Sequence, residues 1–274
     1  MNDYTETLTD LGLKVTFPDG TGFYYVDESH AYYRAKPEGG RGKRLTSVSS
    51  LVKPFDFKPD NLMRWAAKQT CAGVVLLDKP DGWAADADKI WDTLTESKLT
   101  FNDLREAKAT TGTLVHAAFE SLANGFDVDL EEFAEADQGY VLSVLEWWAR
   151  EQPEVLNVEQ FVYSEEHGFT GRFDLRAVRR ASGSPTLIDL KTSGYIGTAY
   201  HVQLAGYALA AEECGVGGCG DTMILKAHED GRVATEVEGL ATAQDFLHAL
   251  AVYRSAGEIE RGTRRAKATE GATA

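Results

Sequence analysis

The spacing of apolar residues changes several times along this chain, and each change marks an element. Residues 22–34 (GFYYVDESHAYYR) set aromatic residues on both sides of Asp27-Glu28-Ser29, which predicts a β-hairpin. The basic, glycine-bearing segment KPEGGRGKR after it predicts a flexible loop. In 45–52 hydroxyl residues precede an apolar run, so a short N-capped helix stopped by Pro54 is expected. Helical spacing returns at 59–68, with Leu62, Trp65 and Ala66 on one face, and again at 83–97. It continues at 101–124, with a kink expected near Thr110-Thr111-Gly112, and at 134–151, ahead of Pro153.

Past Pro153 the period shortens. Residues 155–163, 169–178 and 186–191 read as strands, and Ala181-Ser182-Gly183-Ser184-Pro185 supplies turn chemistry between the last two. A helix at 198–213 ends by Gly215, strands follow at 221–227 and 233–237, and a last amphipathic helix spans 242–255, capped by Thr242. The tail RGTRRAKATEGATA has no apolar anchor and is expected to be disordered. Helix, three strands, helix, strand is the order of a mixed-sheet α/β core, here preceded by an N-terminal embellishment.

Composition narrows the class. A chain of 274 residues, 43% hydrophobic, has room for one substantial core or at most two small domains. No apolar run reaches the roughly 18 residues of a membrane span. The opening MNDYTETLTD lacks the basic and apolar regions of a secretory signal. Cys71, Cys214 and Cys219 are scattered and odd in number, so no disulfide framework is expected and a reducing, cytoplasmic setting is. The net charge of −15 weighs against nucleic-acid binding, yet phosphate contacts need only a local patch. Two stretches offer one: Arg34, Lys36, Arg41, Lys43 and Arg44, and Arg172, Arg176, Arg179 and Arg180.

The candidate chemistry gathers in the strand pair before and after 181–184. Strand alternation projects Asp189 and Lys191 together, while Ile188 and Leu190 pack the other way. A hairpin closed at 181–184 brings Asp174 near Asp189, and a divalent cation is the natural answer to two adjoining carboxylates. An Asp189–Lys191 ion pair is the plainer reading of that strand, and Asp174 could bond to Arg172 or Arg176. His116 and Glu120 stand one helical turn apart, as do Gln203 and Tyr207. Each of those pairs, alone, is an ordinary helix-surface arrangement. No phosphate-cradling loop of the Walker type, zinc spacing or nucleophile elbow is present.

Taken in chain order, these residues resemble the PD-(D/E)XK nuclease superfamily, specifically its RecB-like exonuclease branch with CRISPR-associated and phage-encoded members. That branch carries G-x-x-x-H-x-x-x-E on a helix, G-x-x-D and D-x-K on successive strands, and Q-x-x-x-Y on a later helix. The matching positions are Gly112, His116 and Glu120, then Gly171 and Asp174, then Asp189 and Lys191, then Gln203 and Tyr207, within 101–227. Phe173 stands where the family name has proline. Residues 30–65, with LTSVSSLV, also resemble the lead-in of phage proteins in this branch.

The resemblance implies a restriction-endonuclease-like α/β core, a central mixed sheet flanked by helices, over 101–257. A β-hairpin and helical embellishment would occupy 1–100, and the disordered tail 258–274. It implies a metal-dependent DNA exonuclease of recombination, repair or phage DNA processing. Mg²⁺ or Mn²⁺ would be held by Asp174, Asp189, the main-chain carbonyl of Leu190 and His116, with Glu120 a less direct ligand. Lys191 would hold the attacking water or stabilise developing charge, and Gln203 and Tyr207 would position Lys191 and the DNA. Three cysteines are too few for the iron–sulfur cluster of some relatives, so none is expected. DNA is the implied partner, with a recombinase, single-strand annealing protein or helicase supplied by another chain. An endonuclease on the same scaffold, a non-catalytic DNA-binding subunit and an acidic protein that mimics DNA stay open as alternatives.

Overall fold

A computed structural model of the protein describes residues 4–53, 59–76 and 87–272. The chain divides into two compact units, Met1–Asp56 with Phe119–Ala274, and Phe57–Ala118. The first 56 residues belong with the core because their strands extend its sheet.

In the larger unit the chain opens with five strands, β1 (Thr5–Thr9), β2 (Gly12–Thr16), β3 (Gly22–Val26), β4 (Ala31–Ala35) and β5 (Arg41–Ser47). They form an antiparallel meander in sequence order. The expected 22–34 hairpin is β3–β4, closed by a 3₁₀ turn at Asp27–Ser29. β1 and β2 were not expected. β1 is exposed along almost its whole length, so it has no buried face to imprint an alternating pattern. The expected loop KPEGGRGKR also needs correction: from Arg41 it is strand β5, which gains its order from backbone pairing with β4. Short α1 (Val48–Val52) follows, and the Ser47 side chain accepts from the Ser50 amide as its cap.

The smaller unit contains α2 (Pro59–Leu76), α3 (Ala87–Glu96) and α4 (Phe101–Ala123) up to Ala118. α4 is one uninterrupted helix through 110–112. Trp65 packs edge-on against Phe101 there, with ring centroids 5.2 Å apart. The stop at Pro54, the helix start at Trp83 and the side chain of Leu62 lie outside the described residues.

The larger unit resumes with α5 (Glu135–Glu151), β6 (Glu154–Ser164), β7 (Phe169–Val178), β8 (Pro185–Lys191), α6 (Thr198–Glu213), β9 (Asp221–Lys226), β10 (Thr235–Glu238) and α7 (Ala243–Ala272). Among the described residues ten strands make one mixed sheet, in the order β1-β2-β3-β4-β5-β7-β8-β9-β10, with β6 paired to β7. β5–β7 and β8–β9 are parallel and the other pairs antiparallel. This is the expected α/β core. Phe17, Phe23, Phe161 and Tyr163 fill one core cluster at the meander. A second cluster joins Phe169, Phe173 and Leu187 to α1, α6 and α7. Helices α6 and α7 meet so closely that a Cβ on Gly206 would lie 2.3 Å from the Phe246 ring, and only glycine fits. α7 does not stop near 255. It runs on to Ala272 across the segment expected to be disordered, because Arg, Ala, Lys and Glu favour a helix even without an apolar face.

Candidate active site

The site is built where the β7–β8 ladder stops. Pairing runs from Val178 and Pro185 through Ala177 and Thr186 to Leu175 and Ile188, and the next residues on the two strands are Asp174 and Asp189. There the backbone exchange ends, and the Leu190 amide instead donates to Asp174 Oδ2 at 2.6 Å. A carboxylate has taken the place of the backbone acceptor, so the two acidic positions stand just past the end of a ladder that fixes both strands. Asp189 is 1% exposed and Asp174 half-buried.

A buried carboxylate requires partners, and Asp189 has them on both oxygens. Oδ2 forms an ion pair with Lys191 Nζ, and Oδ1 accepts from Gln203 Nε2 at 3.2 Å. The same amide nitrogen of Gln203 donates to Tyr207 Oη at 3.1 Å, so one turn of α6 aligns both residues behind Asp189. Lys191 Nζ lies 5.3 Å from the centroid of the Tyr200 ring. Burial lowers the Lys191 pKa, but Asp189 and Asp174 outweigh it and hold the group above the usual lysine range, as an ammonium. Burial, with Asp189 and Asp174 adding to it, pushes the Tyr207 phenol well above its ordinary value, so it keeps its proton. Gly171 completes this arrangement. A Cβ there would stand 2.5 Å from the Tyr207 ring, so glycine is what lets the ring close on β7.

The structure therefore brings together Asp174, Asp189, Leu190, Lys191, Gln203 and Tyr207. Glu120, on the part of α4 that belongs to the larger unit, is exposed. It lines a hollow of about 350 Å³ with Glu159, Arg172 and Tyr25. His116 is half-buried on α4 within the smaller unit.

Glu159 was not singled out from the sequence. A carboxylate oxygen of Glu159 lies within 4.8 Å of one of Asp174. Its backbone is left-handed (φ 45°), uncommon for a residue other than glycine, and the pairs Val158–Leu175 and Gln160–Phe173 on either side of it set it opposite Asp174. Arg172 Nε meets its Oε2 at 2.8 Å. Nothing in the 155–163 pattern marks this position, because which residue of β6 stands opposite Asp174 is set by strand register and not by local sequence.

Arg176 and Arg179 of the second basic stretch are committed elsewhere. Arg176 donates to the carbonyls of Val216 (3.3 Å) and Gly218 (3.0 Å) and to Asn157. Arg179 bridges Glu236 at 2.5 Å and Glu151 at 3.7 Å.

The donors at the end of the ladder are carboxylate oxygens and a backbone strand edge, the hard set that suits Mg²⁺ or Mn²⁺. Among the described residues no helix is long and apolar enough to cross a membrane. Comparison with curated proteins returns no match. A family model described as the PD-(D/E)XK nuclease superfamily matches residues 92–269, well over half of the chain and the whole of this site. With the mixed sheet, the hairpin and the Asp174, Asp189 and Lys191 constellation in place, the chain belongs to the PD-(D/E)XK nuclease superfamily, whose members are metal-dependent nucleases.

Proposed function

We propose that this protein is a Mg²⁺- or Mn²⁺-dependent DNA exonuclease of the RecB-like branch. The observation that carries the catalytic part is the buried Asp189–Lys191 pair beside Asp174 at the open end of the β7–β8 ladder. Exonuclease action and the branch rest on the four motifs in register, and recombination, repair or phage DNA processing in the cytoplasm is the setting they favour. A recombinase, annealing protein or helicase would come from another chain.

Asp174, Asp189 and the Leu190 carbonyl would hold the ion, joined by Glu159 from its place beside Asp174 and by His116 on the strength of its motif alone. A carboxylate has about four lone-pair sites, so Asp189 can ligate while it keeps Lys191 and Gln203. The bound ion supplies an activated water and charge neutralisation on the scissile phosphate. Lys191 is held on the Asp189 carboxylate, beside the place of the ion. Its Nζ donates hydrogen bonds to the attacking water or to a phosphate oxygen and stabilises charge that grows in the transition state. Gln203 fixes the Asp189 carboxylate, and Tyr207 fixes Gln203. Glu120 is a ligand of lesser weight, acting through water from its exposed position.

End-labelled linear DNA and covalently closed circles, incubated with Mg²⁺, Mn²⁺ or EDTA, test the reading. Metal-dependent loss of the linear DNA alone is expected, and none with Lys191→Ala. Cutting of circles would replace exonuclease by endonuclease, and no cutting of either would overturn the enzymatic reading.

A further inference from the structure

We infer that the groove between β5 and the middle of α7 is a phosphate-backbone track that grips the DNA arm beyond the cleavage site. The inference rests on the nuclease reading and adds where the nucleic acid lies. The groove has a volume of about 700 Å³ and is lined by Arg34, Lys43, Arg44, Arg254 and Arg261, against Glu258 and Glu260. Five cations to two carboxylates is a strong local excess in a chain whose net charge is −15. The excess survives counting Glu165, which pairs with Arg34 at 3.1 Å.

Two of the cations are pre-positioned. Arg34 donates to the Glu165 carbonyl (3.3 Å), and Arg254 donates to the carbonyls of His167 and Gly168. Both guanidinium groups are thus anchored on the turn between β6 and β7, with donors left over, since a guanidinium carries five N–H groups. Lys43, Arg44, Arg254 and Arg261 are exposed, which suits contacts that exchange with counterions. Leu45, Val252, Tyr253 and Ala256 floor the groove between the cations, so the contacts to phosphate fall to the charged side chains. Gly168, on the groove's edge, precedes Asp174 by six residues along β7. At the rise of a strand that is about 20 Å, or about six base pairs of duplex at 3.4 Å each.

The test is DNA binding by fluorescence anisotropy on a 30-base-pair duplex, in Ca²⁺ without Mg²⁺ or Mn²⁺, from 50 to 200 mM salt. The triple variant Lys43→Ala/Arg44→Ala/Arg261→Ala is compared with the wild type and with Arg232→Ala, an exposed arginine outside the groove paired with Asp230. Removing three phosphate contacts is expected to flatten the slope of log K against log salt by about 2.7, so that the wild type loses about 40-fold more affinity over this range. Arg232→Ala should match the wild type. The three single variants, read by the same slope, guard against misfolding of the triple. Unchanged slopes in all of them overturn the track, and so does a loss of affinity with no change in slope. Hydrolysis of bis(p-nitrophenyl) phosphate, too small to need a groove, runs in parallel and should be equal in all these variants. If the wild type fails to cleave it, the nuclease reading falls while the binding slopes still judge the groove.

Discussion

Charge is used in opposite ways at two places in the larger unit. At the active site the buried charge of Asp189 is answered on each side: Lys191 on one oxygen, Gln203 on the other, Tyr207 behind Gln203. In the groove of Arg34, Lys43, Arg44, Arg254 and Arg261 the cations stand mostly in solvent, against few carboxylates. Burial makes an unpartnered charge expensive, so the first region tolerates one geometry and fails as a whole. Water and salt screen the second, so its members act separately and in sum. The arginines at 172, 176 and 179 show how the first logic also removes charge from availability: close in sequence to the site, they are tied to Glu159, to loop carbonyls and to Glu151 and Glu236.

The largest expected effect lies in the buried region. Asp189→Ala and Lys191→Ala should each lower cleavage by about three orders of magnitude or more, and each should lower stability by about 3–5 kcal/mol through the charge left behind. The double variant Asp189→Asn/Lys191→Met removes both charges and should regain most of that stability by thermal melting while staying inactive. Regained activity would break the assignment.

Gln203→Leu should cost about 10- to 100-fold in cleavage, the range for a residue that orients a metal ligand. Its signature is weakened Mn²⁺ binding by calorimetry together with the lost rate. Glu159→Gln should weaken Mn²⁺ binding by about tenfold, because ligand charge tunes affinity at oxygen sites. Unchanged affinity would remove Glu159 from the ligand set.

A smaller effect concerns pH. His228 is buried, and burial, aided by Arg232 and Lys226, lowers its pKa, while burial lowers that of His201. An arginine can only donate, so the 3.0 Å contact of Arg232 with Nδ1 makes that nitrogen the acceptor and leaves the proton on Nε2, toward Thr235 Oγ1 at 2.7 Å. Below the ordinary histidine pKa the unfolded chain binds these protons first, so stability is full above that pH and falls as the pH drops through the window beneath it. Melting temperature should decline there, and His228→Gln should flatten the decline. Lys191 has the opposite sign: its contribution is complete below the ordinary lysine pKa and is lost only at higher pH. The smallest effect belongs to the groove, where Lys43→Ala alone should change the salt response by about threefold between 50 and 200 mM.

Much of this was legible in the chain. Helix α6 was read at its observed bounds, because it is bracketed by a turn and by Gly215, and the β7–β8 hairpin followed from two apolar runs around a Ser-Gly-Ser-Pro turn. Asp189 and Lys191 were paired by strand alternation alone. The edge strand β1 was not legible, since exposure leaves no apolar rhythm, nor was β5, whose charged residues acquire strand form from β4.

What the sequence determined by itself is what local period and short spacing encode: the order of elements, the acidic pair on one hairpin, and the Gln203–Tyr207 turn that stands behind it. What only the tertiary structure decided depends on pairing between segments remote in the chain. Register stops the β7–β8 ladder at Asp174 and Asp189, the β6–β7 register sets Glu159 opposite Asp174, and packing of α7 sets Arg254 and Arg261 across from Lys43 and Arg44. Side-chain chemistry is written residue by residue, whereas the neighbour that makes an arginine structural or available is supplied by another strand, helix or loop that only the fold brings alongside.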